Sequence, residues 1–162
     1  MIVNRRELKY PIGEMDYYRV NKLFNEILTP DKNNGKYGYK IRSLYFDSIN
    51  NDDYYAKVGG EEVRKKIRLR IYDTNATKVK LEIKRKLNIS QIKETTTISK
   101  EDAISLINKD YSVLLKYDEI AHSAYNIMTM GQYQPVVLID YNRRAYIHTE
   151  NNIRVTLDSD IR

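Results

Sequence analysis

The sequence has no cysteine and no tryptophan, and only two phenylalanines, three prolines and six glycines among 162 residues. Without cysteine there are no disulfides, no thiolate metal sites and no cysteine nucleophile. The same absence fits a reducing compartment, so a cytoplasmic location is expected. No apolar run approaches the ~20 residues needed to cross a bilayer as a helix, so no membrane span is expected. The opening residues, Met1-Ile2-Val3-Asn4-Arg5-Arg6, lack the apolar stretch of a signal peptide. There is no P-loop and no dinucleotide glycine pattern; Gly59-Gly60 reads as a turn. His122 and His148 stand far apart, outside any tight metal spacing, and no serine has a histidine at a spacing that suggests a nucleophile triad.

What the chain does have is charge. Lysine and arginine total 28 against 22 aspartates and glutamates, a formal net charge of +6. That balance favours acidic partners such as phosphates, nucleic acid or anionic lipid, and says nothing about fold. With 41% hydrophobic and 31% charged residues, the chain reads as a globular domain rather than a disordered one. Its length suits a single domain, residues 1–162, with a core of useful size. Fifteen tyrosines are unusual, and an AT-rich coding sequence accounts for them better than any role.

Along the chain, alternation ending at Pro11 predicts a first strand over 5–12. Met15, Tyr18, Leu23, Phe24, Ile27 and Leu28 recur at helical spacing over 14–28, with Glu14 and Asp16 at the acid-preferring end. Thr29-Pro30-Asp31 stops that helix and Asn33-Asn34-Gly35 is a loop. Residues 39–47 read as a strand, 48–62 as a turn region with a short helical piece, and 64–73 and 78–87 as strongly alternating strands. A strand over 90–98 leads to Ser99, a helix cap, then helices over 100–108 and 112–129, the second closed by Gly131. Strands at 135–148 and 152–158 follow. Strands arriving in runs point to an α+β arrangement, an antiparallel sheet or barrel, rather than a doubly wound parallel sheet.

Residues i and i+2 of a strand share a face. Lys66, Arg68, Arg70 and Tyr72 therefore oppose Ile67, Leu69 and Ile71; Lys80, Glu82, Lys84 and Lys86 oppose Val79, Leu81 and Ile83. Glu7 and Lys9 oppose Leu8 and Tyr10, Tyr141 shares a face with Arg143, and Arg154, Thr156 and Asp158 oppose Val155 and Leu157. A single strand of this kind is ordinarily half solvated. A set so rich in one sign also suits a barrel whose aliphatic faces lie under helices while its cationic faces line a wet interior. Burying such charges costs several kcal/mol per ion, roughly, unless a polyanion offsets it.

Several blocks carry a family resemblance. Glu7-Leu8-Lys9-Tyr10, Arg42-Ser43-Leu44-Tyr45-Phe46-Asp47-Ser48, then Tyr54, Lys57 and Gly60, and Arg64 to Tyr72 follow one another in order. Leu81 to Lys86, Tyr141 to Tyr146 and Arg154 to Asp158 continue the series. Together they resemble the VTC domain, a branch of the triphosphate tunnel metalloenzymes (CYTH-like). The resemblance implies an antiparallel barrel with a basic lumen and flanking helices, a divalent Mn²⁺ or Mg²⁺, and transfer of the ATP γ-phosphate to polyphosphate. Carried over by motif, the phosphate-binding residues are Lys9, Arg68, Arg70, Lys84, Arg143 and Arg154, with Lys93 on a looser match and Tyr141 beside Arg143. Arg68, Arg70, Lys84 and Arg143 are the expected catalytic set. A metal needs a carboxylate; Glu7, Glu82 and Asp158 are the candidates, although Glu82 has Lys80 and Lys84 as alternative partners.

Two departures accompany the resemblance. Arg5 stands where the wider tunnel family opens with a glutamate. The family pattern also continues past Arg162 into strands with a metal-binding glutamate and a further basic residue, so the expectation is a domain lacking those C-terminal strands and exposing a strand edge. The expected partners are ATP and inorganic polyphosphate or triphosphate. Three functions remain open: a polyphosphate polymerase-like phosphotransferase, a triphosphate hydrolase, and a non-catalytic polyanion binder. A nucleic-acid role is not expected, because the basic residues alternate along strands and no aromatic stacking motif accompanies them.

Overall fold

The computed structural model describes residues 2–5, 7–88, 90–150 and 153–162, the first segment as backbone only. The chain runs β1 (Ile2–Arg5), α1 (Glu14–Ile27), β2 (Thr29–Pro30), β3 (Tyr39–Asp47), α2 (Asp52–Val58), β4 (Val63–Ile71), β5 (Lys78–Leu87) and β6 (Ser90–Ser99). It continues with α3 (Lys100–Ile107), a 3₁₀ turn (Tyr111–Lys116), α4 (Glu119–Gly131), β7 (Gln134–His148) and β8 (Ile153–Ser159). The sheet order is β1-β6-β5-β4-β3-β7-β2, with β8 also paired to β7. Five of these pairings, β1/β6, β2/β7, β4/β5, β5/β6 and β7/β8, are antiparallel. The α+β antiparallel class expected from the sequence is the one found. Among the described residues no helix is long and apolar enough to cross a membrane.

The chain divides into two compact units, Met1–Glu7 with Ser43–Leu138, and Leu8–Arg42 with Ile139–Arg162. In the first unit, β4 and β5 place Ile67 opposite Ile83 and Leu69 opposite Leu81. These residues, with Phe46, Val79 and Ile98, form one core with Leu106 of α3, Leu114 of the 3₁₀ turn, and Ala121, Ala124 and Met128 of α4. Each large aliphatic side chain buried this way contributes about 1.5–3 kcal/mol. The apolar stripe of the helices thus covers the aliphatic face of the strands.

Side-chain capping fixes where the helices begin. Ser99 Oγ accepts from Asp102 N at 3.0 Å, as its position before α3 predicts. The helix expected over 112–129 is instead two pieces. Asp118 accepts from Ala121 N at 3.1 Å and starts α4, while Asp110 starts the 3₁₀ turn before it. A cap within the apolar pattern, Asp118, breaks it. Buried Asp47 starts α2: its Oδ1 accepts from Ser48 N and Asp53 N and its Oδ2 from Tyr54 N, at 2.8 to 2.9 Å. Asp47→Ala should therefore cost about 2 kcal/mol, read as a lowered denaturation midpoint.

The first strand is displaced from its expected place. It covers Ile2–Arg5 and pairs with β6, and residues 7–13 form no strand. Arg5 lies opposite Gln91, one residue from the start of β6, so the ladder runs out of partner there. Lys9 therefore lies on an exposed non-strand segment. Arg6 and Asn152, also assigned to strands by their pattern, lie outside the described residues.

In the second unit α1 lays Phe24 edge-on to Tyr146, 5.6 Å between ring centres, and Tyr146 Oη donates to Asn21 Oδ1 at 2.7 Å. The Asn34 side chain brackets Ala145, donating to its carbonyl at 2.7 Å and accepting from its N–H at 3.0 Å. Gly38 has φ +85°, and a Cβ there would come within 2.4 Å of the Arg143 carbonyl oxygen. Only glycine tolerates both that angle and that approach.

Candidate functional site

The polar face of β3 to β6 in the first unit is not a solvent face: Arg68 is 5% exposed, Arg70 6% and Glu82 1%. Glu82 lies directly across the ladder from Arg68. Arg68 Nε donates to Glu82 Oε2 at 2.6 Å, and Nη2 is 2.5 Å from the same oxygen. Arg70 Nη1 lies 4.0 Å from that oxygen, and Lys93 Nζ donates to Oε1 at 3.4 Å. One carboxylate thus serves three cations. Burial works to raise the Glu82 pKa, but Arg68, then Arg70 and Lys93, outweigh it and hold it at about 2. Lys80 and Lys84, the partners suggested by strand spacing, make no ion pair with it.

Lys84 is the exception in this cluster. It is half-buried, and among the described residues it has neither an ion pair nor a hydrogen bond. Register places it between Lys66 and Lys93 on the neighbouring strands. Burial, then the Arg68 guanidinium and that of Arg70, pull its pKa down to about 8, against the opposing pull of Glu7 and Glu82. Like charges directly opposite each other destabilise a sheet. Lys84 in this row has no carboxylate within ion-pair distance among the described residues, and an added anion there would be stabilising.

Charge patterning missed the residues that hold the arginines. Tyr45 Oη accepts from Arg68 Nη1 at 2.7 Å, and its ring centre lies 5.5 Å from the guanidinium carbon. Ser43 Oγ accepts from Arg70 Nε at 3.1 Å. Both are hydroxyl residues at i and i+2 of β3, and that spacing was the available signal.

The second unit holds its own pair of arginines. Arg143 and Asp158 face each other across β7 and β8 and form a two-pronged pair, Nε to Oδ1 and Nη2 to Oδ2, both at 2.6 Å. Tyr141 lies against the guanidinium at 5.2 Å. Burial opposes the charged form of Arg143, but Asp158 and Tyr141 outweigh it and raise its pKa. Arg154 Nη2 donates to Tyr39 Oη at 3.0 Å and to Asp31 Oδ2 at 3.3 Å.

Tunnel folds of this kind generally depend on a divalent metal. Of the expected ligands, Glu82 and Asp158 are already engaged by guanidinium groups. Glu7 alone has no ion pair or hydrogen bond among the described residues. No cluster of three His, Asp or Glu side chains suited to an ion occurs among the described residues. The carboxylates among the described residues therefore do not fit a resident metal site, which typically needs more oxygen ligands than one side chain offers.

An α+β chain whose antiparallel sheet has buried arginines on one face and helix-covered aliphatic residues on the other has the arrangement of a tunnel-type fold. A solved structure from Bacillus halodurans, described as a "putative adenylate cyclase", matches it with a TM-score of 0.59. The match covers 98% of this chain and 72% of that one at 11% identity, so it speaks for the fold alone. No curated protein matches the chain. The VTC domain model matches residues 4–162, and the chain belongs to the VTC domain family, a nucleotide- or polyphosphate-related tunnel domain.

Proposed function

We propose that the chain binds a linear phosphate chain against the cationic face of β3 to β6 and takes part in phosphoryl transfer from ATP to polyphosphate. The observation that carries this reading is Lys84, a half-buried ammonium beside two guanidiniums that makes no ion pair or hydrogen bond among the described residues. Leaving such a charge uncompensated costs several kcal/mol, roughly, and phosphate oxygens offset that cost. Arg68 and Arg70 suit the same ligand, because a planar fork donates two parallel hydrogen bonds to phosphate.

Transfer of this kind needs positioning and charge neutralisation more than covalent help. A terminal oxygen of the acceptor chain attacks the γ-phosphorus, the bond to the β–γ bridging oxygen breaks, and ADP leaves. Fixed cations in a site of reduced dielectric stabilise the charge spread over the transferred group. By family correspondence Arg68, Arg70, Lys84 and Arg143 are each assigned a catalytic role, and Lys9, Lys93, Tyr141 and Arg154 a phosphate contact. Each of these assignments is testable by replacement.

A second reading, a domain that holds polyphosphate without making it, is favoured by the absence of a metal-ligand cluster among the described residues. Incubation with ATP and either Mn²⁺ or Mg²⁺, followed by separation of long chains from free phosphate, separates the two. Chain growth is the expected result; phosphate release marks a hydrolase, and tight polyphosphate binding without turnover marks the binder. Arg70→Ala should weaken polyphosphate affinity at least tenfold, since a charge-assisted hydrogen bond contributes about 1.5–3 kcal/mol. A wild-type protein that neither binds polyphosphate nor turns over ATP ends the proposal.

A further inference from the structure

The two buried arginines of β4 are held by two kinds of partner, and the difference between them matters. From β5 comes a charged acceptor, Glu82, and from β3 come neutral ones, Tyr45 for Arg68 and Ser43 for Arg70. The pairing steps in opposite directions along β3 and β4, as it does between antiparallel neighbours. A second carboxylate in place of the hydroxyls would orient the arginines equally well, but it would cancel the charge that attracts an anion. Hydroxyls orient without neutralising. Glu82 thus lies within 4.0 Å of Arg68, Arg70 and Lys93, and the hydroxyls of Ser43 and Tyr45 add no negative charge to the group.

Arg68 is held in its plane from both sides. Its Nε is committed to Glu82, one N–H of Nη1 to Tyr45, and Nη2 also sits against Glu82. A guanidinium has five N–H bonds. Those left over belong to Nη1 and Nη2, on a group that two neighbouring strands keep from turning.

We infer that Tyr45 is a positioning residue, a neutral acceptor that fixes the Arg68 fork so that its remaining N–H bonds grip one phosphate of a phosphate chain. This rests on the proposed function for its ligand, but not for its geometry. The phenol acts through Arg68, whose guanidinium carbon lies 5.5 Å from the ring centre.

Tyr45→Phe is the test, because it keeps the ring and removes only the acceptor. By titration calorimetry with tripolyphosphate, Tyr45→Phe should bind about tenfold more weakly, a change of about 1.4 kcal/mol. The slope of affinity against salt should stay as in wild type, because the number of cations is unchanged. In an Arg68→Ala background the same replacement should change affinity no further, the mark of a residue acting through another. An unchanged affinity in Tyr45→Phe, or an equal loss in the Arg68→Ala background, overturns the inference. A ligand-free measurement decides the geometry separately. In nitrogen NMR of the arginine side chains, rotation of the Arg68 Nη1 group should quicken in Tyr45→Phe. Unchanged rotation overturns the positioning role. If wild type binds no tripolyphosphate, the proposed function falls and the NMR result alone decides the role of Tyr45.

Discussion

Lys84→Met should make the protein more stable and a poorer ligand for polyphosphate at the same time. The ammonium is half-buried without an ion pair among the described residues, and burial with the neighbouring guanidiniums has taken its pKa from 10.5 to about 8. In the unfolded chain the group holds its proton up to about 10.4. Between those values the unfolded state binds more protons than the folded one, so wild-type stability should rise with pH from about 8 to about 10.4. Below pH 8 the full penalty is present, and removing the charge should recover about 1–3 kcal/mol, or several degrees in the melting temperature. Above pH 10.4 the two proteins should differ little. Binding should move the opposite way, falling about 10- to 100-fold with the loss of a charge-assisted hydrogen bond. Thermal melts at pH 7 and pH 10.5, together with polyphosphate titrations, check both halves. A variant that melts below wild type at pH 7 would show that Lys84 has its counter-charge within the fold.

Glu82→Gln should do the reverse. It leaves Arg68, Arg70 and Lys93 around a neutral amide in a buried place. Breaking a buried pair by removing one partner costs about 3–5 kcal/mol. The carboxylate titrates at about 2 in the folded protein, against 4.5 as the ordinary value. Its contribution is therefore present above pH 4.5 and is lost as pH falls toward 2. Wild type should lose stability across that window, and the glutamine variant should lack that part of the acid transition. Added tripolyphosphate should raise the melting temperature of Glu82→Gln more than that of wild type, because the ligand supplies the missing negative charge. An equal or smaller rise in the variant would place the bound phosphate away from this cluster.

The strand alternation of Lys66 to Tyr72 and Lys80 to Lys86 was legible because both faces carry a clear chemical difference. The limits of β5 followed from it, β3 was found over 39–47 as read, and Ser99 marked the start of α3. Two errors have local causes. Glu7 to Tyr10 alternates as a strand does, but a strand also needs a partner, and β6 begins at Ser90. The apolar spacing of 112–129 fits one helix, and the acceptor of Asp118 cuts it in two. The charged face itself was only half legible. Alternation tells which residues share a side and is silent about what covers that side. Ser43 and Tyr45 escaped because a hydroxyl in a strand carries no charge to stand out, although both lie in a block that was recognised. Arg143 was assigned by motif, whereas its two-pronged bond to Asp158 depends on the register of β7 and β8.

One feature of β4 reaches beyond the chemistry. Ile67, Arg68, Leu69 and Arg70 are four consecutive residues, all buried, in a strand that turns successive side chains to opposite sides. Most strands have a watery side on which replacements accumulate without harm. This stretch has none, and any replacement there meets packed neighbours. A replacement at any of the four disturbs packing or a buried charge, so the proposed binding chemistry and the framework rest on the same four residues.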